Sequence, residues 1–248
     1  MAHMASHRWQ LNVCLSALTI FPVWARAGEG EELLRRSDAK LIPDTCTYRL
    51  ALTTMTAGGE TKSYDFVGFK KGANRNVLIV NGPAKIAGSV HLRKGDDVWT
   101  YFTTNRRVSK VAYQAVFLGT LLNYGDILAS ELSVDNEVTA VERTATEIVL
   151  TLRPKANHGG YAKVVVTLGK DSLLPMRRSY YALSGALVKE CVFADIDTSK
   201  GTVAGMTMKF FEPVSGQRTS VKIWEVQILP SVPDAYFDEN QIKSLWTE

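Results

Sequence analysis

From Thr45 to Ile228 the chain runs in short stretches rich in Val, Ile, Thr, Tyr and Phe. They are punctuated by turn clusters such as AGGE, KKGANR, RKGDD, LGKDS, LSGA, DTSKGT and PVSGQR. Period-two runs bounded by Gly, Asp, Asn and Ser predict antiparallel strands joined by hairpins. The pattern predicts about ten or eleven of them, over 46–56, 62–70, 75–81, 86–93, 97–103, 147–153, 161–168, 175–183, 187–196, 203–212 and 219–228. So many strands in one chain must curl into a barrel, a half-barrel or a sandwich, because a flat open sheet of that width is uncommon and leaves its edges unprotected. The expected class is mainly β with helices (α+β): one curved antiparallel half-barrel under a helical lid.

The faces of these strands carry more information than their number. Val98, Thr100 and Phe102 oppose Trp99, Tyr101 and Thr103, and Val77 and Ile79 oppose Leu78 and Val80, so both sides are apolar. Met206, Met208 and Phe210 share one face against Thr207 and Lys209, while Trp224, Val226 and Ile228 oppose Ile223, Glu225 and Gln227. Such patterns fit a curved sheet with an apolar concave side partly closed by helices. Two readings of that side stand. Its bulky residues are core packing, or they line an incompletely filled cavity that accepts an acyl chain, for which Met and aromatic walls are suited. On the second reading the cavity residues are Tyr64, Phe66, Trp99, Tyr101, Met206, Met208, Phe210 and Trp224.

Two segments break the strand pattern. EGEELLRRSDAKL, residues 29–41, has acids first and bases later, which suits a short helix and its dipole; Glu31 with Arg35 and Glu32 with Arg36 are spaced as helical ion pairs. SKVAYQAVFLGTLLNYGDILASEL, residues 109–132, places Val111, Ala115, Leu118 and Leu122 at helical spacing, with Phe117 and Leu121 widening the stripe. This predicts an amphipathic helix with a second short turn after Tyr124, covering the sheet. Phe117, Leu118, Leu121, Leu122 and Tyr124 are its lid residues.

Composition changes the picture little. The 248 residues are 46% hydrophobic and 22% charged, ordinary for a globular protein. Residues 28–248 show no linker or repeat and read as one domain. The net charge is +4, and setting aside Arg8 and Arg26 lowers it to +2, too small a bias for nucleic-acid binding. Residues 5–27, ASHRWQLNVCLSALTIFPVWARA, have a basic start, an apolar stretch and a small-x-small end, the pattern of a secretory signal peptide over 1–27. A retained membrane anchor is the other reading; MAHM at 1–4 resembles a cloning remnant. The expected location is periplasmic, with membrane association if the segment stays. Cys46 and Cys191 then remain, as a disulfide or as two buried thiols.

Catalytic chemistry has little to stand on. His91 lies on a strand beside Arg93, and His158 sits in the turn NHGG; neither has metal-ligand spacing, and no GxSxG elbow, CxxC or phosphate loop occurs in the sequence. No catalytic residue, metal or cofactor is assigned.

The order Pro83, Gly88, GDDVWTYF, VSKV, GTLLNYGDI, LLPMRRSYYALSGALVKECVFADI, GMTMKFFEPVSGQRTSVKIWEVQI and PDAYFDENQI resembles the LolA-like outer-membrane lipoprotein-sorting family. Trp99 and Tyr101 match its Trp-x-Tyr strand. Gly119, Thr120, Leu122, Tyr124, Asp126 and Ile127 follow a Gly-Ser-Asp-Phe-Ser-Tyr-x-Asp-Leu segment, with Leu121 in place of its first Asp. The resemblance implies a periplasmic carrier of lipoprotein or lipid acyl chains, not an enzyme. Its implied partners are an inner-membrane releasing complex and an outer-membrane acceptor, reached through transient membrane-surface contact, with no nucleic acid. Where the family's carrier has an Arg before the strand-end proline, a latch for the lid, this chain has Gly82. An RseB-like envelope-stress regulator, on the same half-barrel, and a lipid hydrolase using His91 or His158 are the alternatives.

Overall fold

The computed structural model describes residues 27–128, 131–155, 160–199 and 203–246. Residues 1–26 of the expected signal peptide and His158 lie outside them. The chain enters through α1 (Ala27–Leu41) and forms β1 (Thr45–Met55), β2 (Thr61–Lys71), β3 (Arg75–Gly82), β4 (Val90–Lys94), β5 (Asp97–Phe102) and β6 (Arg107–Val111). A connection with α2 (Tyr124–Leu128) and α3 (Leu132–Asp135) leads to β7 (Asn136–Arg143), β8 (Glu147–Pro154), β9 (Lys163–Gly169), β10 (Pro175–Tyr181), β11 (Leu187–Asp197), β12 (Gly205–Phe211) and β13 (Arg218–Ile228). All are antiparallel in a single sheet of order β6-β5-β4-β3-β2-β1-β13-β12-β11-β10-β9-β8-β7.

That order explains the architecture. The chain starts at the middle of the sheet, meanders out to β6, crosses to the opposite edge at β7, and meanders back until β13 pairs with β1. A flat sheet of this size would span about 58 Å at the usual strand spacing. Yet Val98 near one edge, Leu50 at the middle and Val138 on the other edge share one apolar core, so the sheet curls around its inner face. The edges β6 and β7 are not paired with each other among the described residues, which leaves the curl open.

The two edge strands are the ones the alternation missed. β6 is RVSKV with four of its five residues exposed, and β7 carries Glu137, Glu142 and Arg143 and shifts register between Val138 and Ala140. Edges gain from charge and irregularity, which block pairing with other chains, and the same features erase the hydrophobic alternation.

Both-sided strands have a direct cause. On β3, Leu78 and Val80 face the inner core, whereas Val77 and Ile79 face a second core on the outer side, formed with Val90, Leu92, Val232, Phe237 and Ile242. The segment after β13, with its 3-10 turns Asp234–Phe237 and Ile242–Ser244, packs there. α1 docks against β7 and α3; Leu33, Leu34 and Leu41 enter the inner core, and Glu31 accepts a hydrogen bond from the Val138 amide at 2.7 Å. Glu32 pairs with Arg35 at 2.8 Å rather than with Arg36.

Candidate functional site

The crossing between β6 and β7 lies on the inner face, and it is not the amphipathic helix expected over 109–132. Its first residues belong to β6, and residues 112–123 form an irregular hairpin. Phe117 donates to the Leu122 carbonyl at 2.8 Å, Tyr124 to Ala115 at 3.0 Å and Gly125 to Tyr113 at 2.9 Å. Leu118 and Gly119 turn the tip with φ of 49° and 71°, a left-handed bend that ends any helix. Helical structure begins only at Tyr124.

All five lid residues nevertheless reach the inner core. Phe117, Leu122 and Tyr124 are buried, and Leu118 and Leu121 pack at its margin. The segment is a plug: the space expected to be hollow is occupied by its side chains. Its tip is tied to the sheet through its backbone. The Tyr64 hydroxyl donates to the Leu118 carbonyl at 3.1 Å, Lys189 to the Leu121 carbonyl at 3.3 Å, and the Leu121 amide to Thr219 Oγ1 at 3.4 Å.

Of the eight residues expected around a cavity, the structure gathers Tyr64, Phe66, Met206, Met208 and Phe210 in the inner core with the plug. Trp99 and Tyr101 go elsewhere. They point to the outer side and join Val77, Leu92 and Phe237, because the inner positions of β5 are taken by Val98 and Thr100. Trp224 stands opposite Arg49 and belongs to neither core. A register shift and the left-handed Glu225, φ 51°, put Ile223 and Val226 on one face, so the strict alternation expected from Trp224 to Ile228 is broken by a bulge.

Three ion pairs, unassigned in the sequence, pin the plug and α3. Lys189 of β11 meets Asp126 of α2 at 2.5 Å, both buried; the Tyr161 hydroxyl donates to the same carboxylate at 2.9 Å. The Lys189 ammonium faces the rings of Tyr161, Tyr180 and Phe210 at 5.0, 5.1 and 5.7 Å. Arg93 of β4 forms a two-pronged contact with Asp135 of α3 at 2.5 and 2.8 Å, joined by the Tyr113 hydroxyl at 2.7 Å. Lys70 of β2 reaches Glu131 at 3.0 Å and the carbonyls of Ile42 and Pro43.

The electrostatics follow from burial. Desolvation, reinforced by the neighbouring Asp126 and Asp135 charges, pushes the phenols of Tyr161 and Tyr113 upward, so both remain donors. Burial alone would pull Arg93 down, but its bond to Asp135 and nearby charges leave it raised. One-sided loss of such a pair strands a buried charge. A legible signal exists for all three: Lys70, Arg93 and Lys189 stand in phase with the inward residues Phe66, His91 and Cys191. A charge on an apolar face needs a partner.

His91 is the other residue that strand patterning undervalued. It is fully buried on the inner face, and neither ring nitrogen has a hydrogen-bond partner among the described residues; the same holds for the hydroxyl of Thr100. Burial drives the imidazole down to about 3. Each orphaned polar group costs on the order of 1–3 kcal/mol.

Beside the plug lies a cavity of about 50 Å³ with Tyr113, Asn123, Asp126, Asp135, Tyr161 and Arg178 in its wall. It suits a few waters. No cluster of potential metal ligands occurs among the described residues, and none of their helices is long and apolar enough to cross a membrane. Cys46 and Cys191 are separate buried thiols. They lie near opposite ends of the central strands, with β13 and β12 between theirs, beyond the reach of a disulfide.

Comparison with curated proteins returns no match. Among solved structures, a DUF1329 family protein from Desulfovibrio piger superposes with a TM-score of 0.74 at 21% identity, covering 87% of this chain and 98% of that one. A LolA superfamily protein from Nitrosomonas europaea gives 0.73 at 20% identity, covering 85% and 98%. A domain from Vibrio parahaemolyticus described as a candidate outer membrane lipoprotein-sorting protein gives 0.73 at 20% identity, covering 88% and 99%. A family model described as "Uncharacterized protein" matches residues 72–244. The chain belongs to that family, and its fold, an open curved antiparallel sheet, is LolA-like.

Proposed function

We propose that the protein is a carrier of acyl lipids or lipoproteins in the bacterial envelope, with the plug closed over its inner face. The observation that carries this reading is the plug. The apolar inner face is covered by α1 and by one connecting segment held through ion pairs and a few backbone bonds, rather than by a second sheet. Phe117, Leu118, Leu121 and Leu122 then stand where acyl chains would lie, and loading exchanges them for lipid. Each methylene taken from water contributes about 0.8 kcal/mol, so a long chain competes with the plug without any catalytic group.

The pairs at Lys189, Arg93 and Lys70 would serve the latch role that Gly82 cannot. A periplasmic location fits this reading, as does brief contact with a membrane surface. The β10–β11 and β12–β13 turns, at the end of the sheet where the plug tip sits, expose Leu183 at 97% and Val214 at 89%. The test is native mass spectrometry of protein purified from an envelope fraction, together with titration of a fluorescent fatty acid. Co-purified lipid, or saturable binding that strengthens when the plug is loosened by Asp126→Asn, is expected. Neither lipid nor binding in either protein would end the carrier reading.

A further inference from the structure

Beneath the plug, the inner face carries a polar pair that the fold leaves unused. His91 on β4 stands directly opposite Thr100 on β5. The two ring nitrogens and the hydroxyl are buried without a hydrogen-bond partner among the described residues. The imidazole is walled by four rings: Phe66 at 6.4 Å, Phe102 at 5.5 Å, Phe117 at 4.9 Å and Tyr124 at 5.7 Å. Phe66 and Phe102 belong to the sheet, whereas Phe117 and Tyr124 belong to the plug. Withdrawal of the plug therefore removes two walls and uncovers His91 and Thr100 at the floor of an apolar trough. Apolar walls with a few convergent polar groups make up the usual site for an apolar ligand with a polar handle.

We propose that His91 and Thr100 form a subsite for the carbonyl oxygen of an ester-linked acyl chain, which enters the space that Phe117 fills. The inference rests on the carrier reading, because the plug must leave. The chemistry selects the ligand. A neutral imidazole offers one N–H donor and threonine one O–H donor; burial keeps the imidazole neutral. Of the cations on the inner face, Lys70, Arg93 and Lys189 already have carboxylate partners, and Arg178 stands over the Phe193 ring at 4.8 Å, which is not one of the four rings that wall His91. A fatty-acid carboxylate in this aromatic box would be a buried charge without a counter-ion, whereas an uncharged carbonyl accepts from the donors at no such cost.

The experiment compares binding of dioleoylglycerol with that of its dialkyl ether analogue, which lacks the carbonyls, to the full chain and to His91→Leu and Thr100→Val. A diacylglyceryl-cysteine lipopeptide serves as a second ester probe. The expected result is about tenfold tighter binding of ester than ether by the wild type, the effect of one net hydrogen bond. That preference, read as the ratio of ester to ether affinity within each protein, should fall in both variants. A preference shown for only one ester probe supports the subsite and names its source. Equal binding of ester and ether overturns the subsite and leaves the carrier reading standing. Binding of none of the probes, even with Asp126→Asn, removes both. Thermal unfolding gives a second readout: both variants should melt at or above the wild-type temperature, because they delete orphaned groups. A marked fall would assign the pair a structural role and overturn the proposal.

Discussion

Lys189 of the sheet and Asp126 of the plug meet at 2.5 Å with both side chains almost entirely removed from solvent. The lysine also donates to the Leu121 carbonyl, so one ammonium holds both the tip and the base of the plug. Replacing Asp126 by Asn leaves that ammonium buried without its counter-charge, a loss of about 3–5 kcal/mol in comparable pairs. Hydrogen exchange should accelerate at the Phe117 and Tyr124 amides, bonded within the plug, while amides of β11 and β12 keep their protection. Equal acceleration throughout would mean that the plug is no separate unit.

Phe117 fills the space between Phe66, His91 and Tyr124. Phe117→Ala empties it, and such truncations in packed cores cost about 3–5 kcal/mol. Thermal unfolding should show a destabilisation at the lower end of that range, since a hairpin tip relaxes more readily than a strand. Fluorescent fatty acid should bind more tightly, because less of the trough has to be vacated. Weaker binding by a folded variant would count against displacement of the plug by lipid.

His91 makes stability depend on pH in a defined direction. Burial holds the folded imidazole down to about 3 from its ordinary 6.5. Between those values the unfolded chain binds a proton that the folded chain does not, so stability falls as pH drops from 6.5 towards 3. The slope approaches about 1.4 kcal/mol per pH unit. Denaturant titrations at about pH 7 and pH 5, on either side of the ordinary imidazole value, should show this loss in the wild type and a smaller one in His91→Leu; identical losses would dismiss the imidazole as its source.

The thiols of Cys46 and Cys191 are pushed up to about 11 and about 12 by burial, and they are unpaired. Alkylation of these two thiols at about pH 8, near the ordinary thiol value, should be slow in the native protein and reach both after unfolding without any reductant. A requirement for reductant would reveal a bond that the strand register forbids.

Gly68 lies under the Tyr48 ring, where an added Cβ would come within 2.2 Å of it. The ring cannot swing away cheaply, since its hydroxyl donates to Asn76, which in turn holds the Leu128 carbonyl of α2. Gly68→Ala should lower stability by about 1–3 kcal/mol, as overpacking does, measured as a shift of the denaturation midpoint against Gly58→Ala in an uncrowded turn.

Sequence alone determined most of the strands, because period-two alternation is a local signature of one buried face: β1 to β3, β5 and β8 to β13 follow the hydrophobic runs, whereas β4 begins only at Val90, after a 3-10 turn over Ala84–Ile86 where the expected run started. It also located the plug residues Phe117, Leu118, Leu121, Leu122 and Tyr124, since their apolarity demands burial whatever backbone carries them. Their backbone was another matter. The spacing of Val111, Ala115, Leu118 and Leu122 cannot become a helix once Leu118 and Gly119 turn left-handed, and a helical stripe and a buried hairpin write similar patterns in so short a segment.

Only the tertiary structure decided which side of β5 faces inward, placing Trp99 and Tyr101 outside because the segment after β13 supplies a second apolar surface. It alone joined Lys189 to Asp126 and Arg93 to Asp135, 63 and 42 positions apart. Local patterning reports burial, whereas the identity of a partner across the sheet depends on how the whole sheet curls.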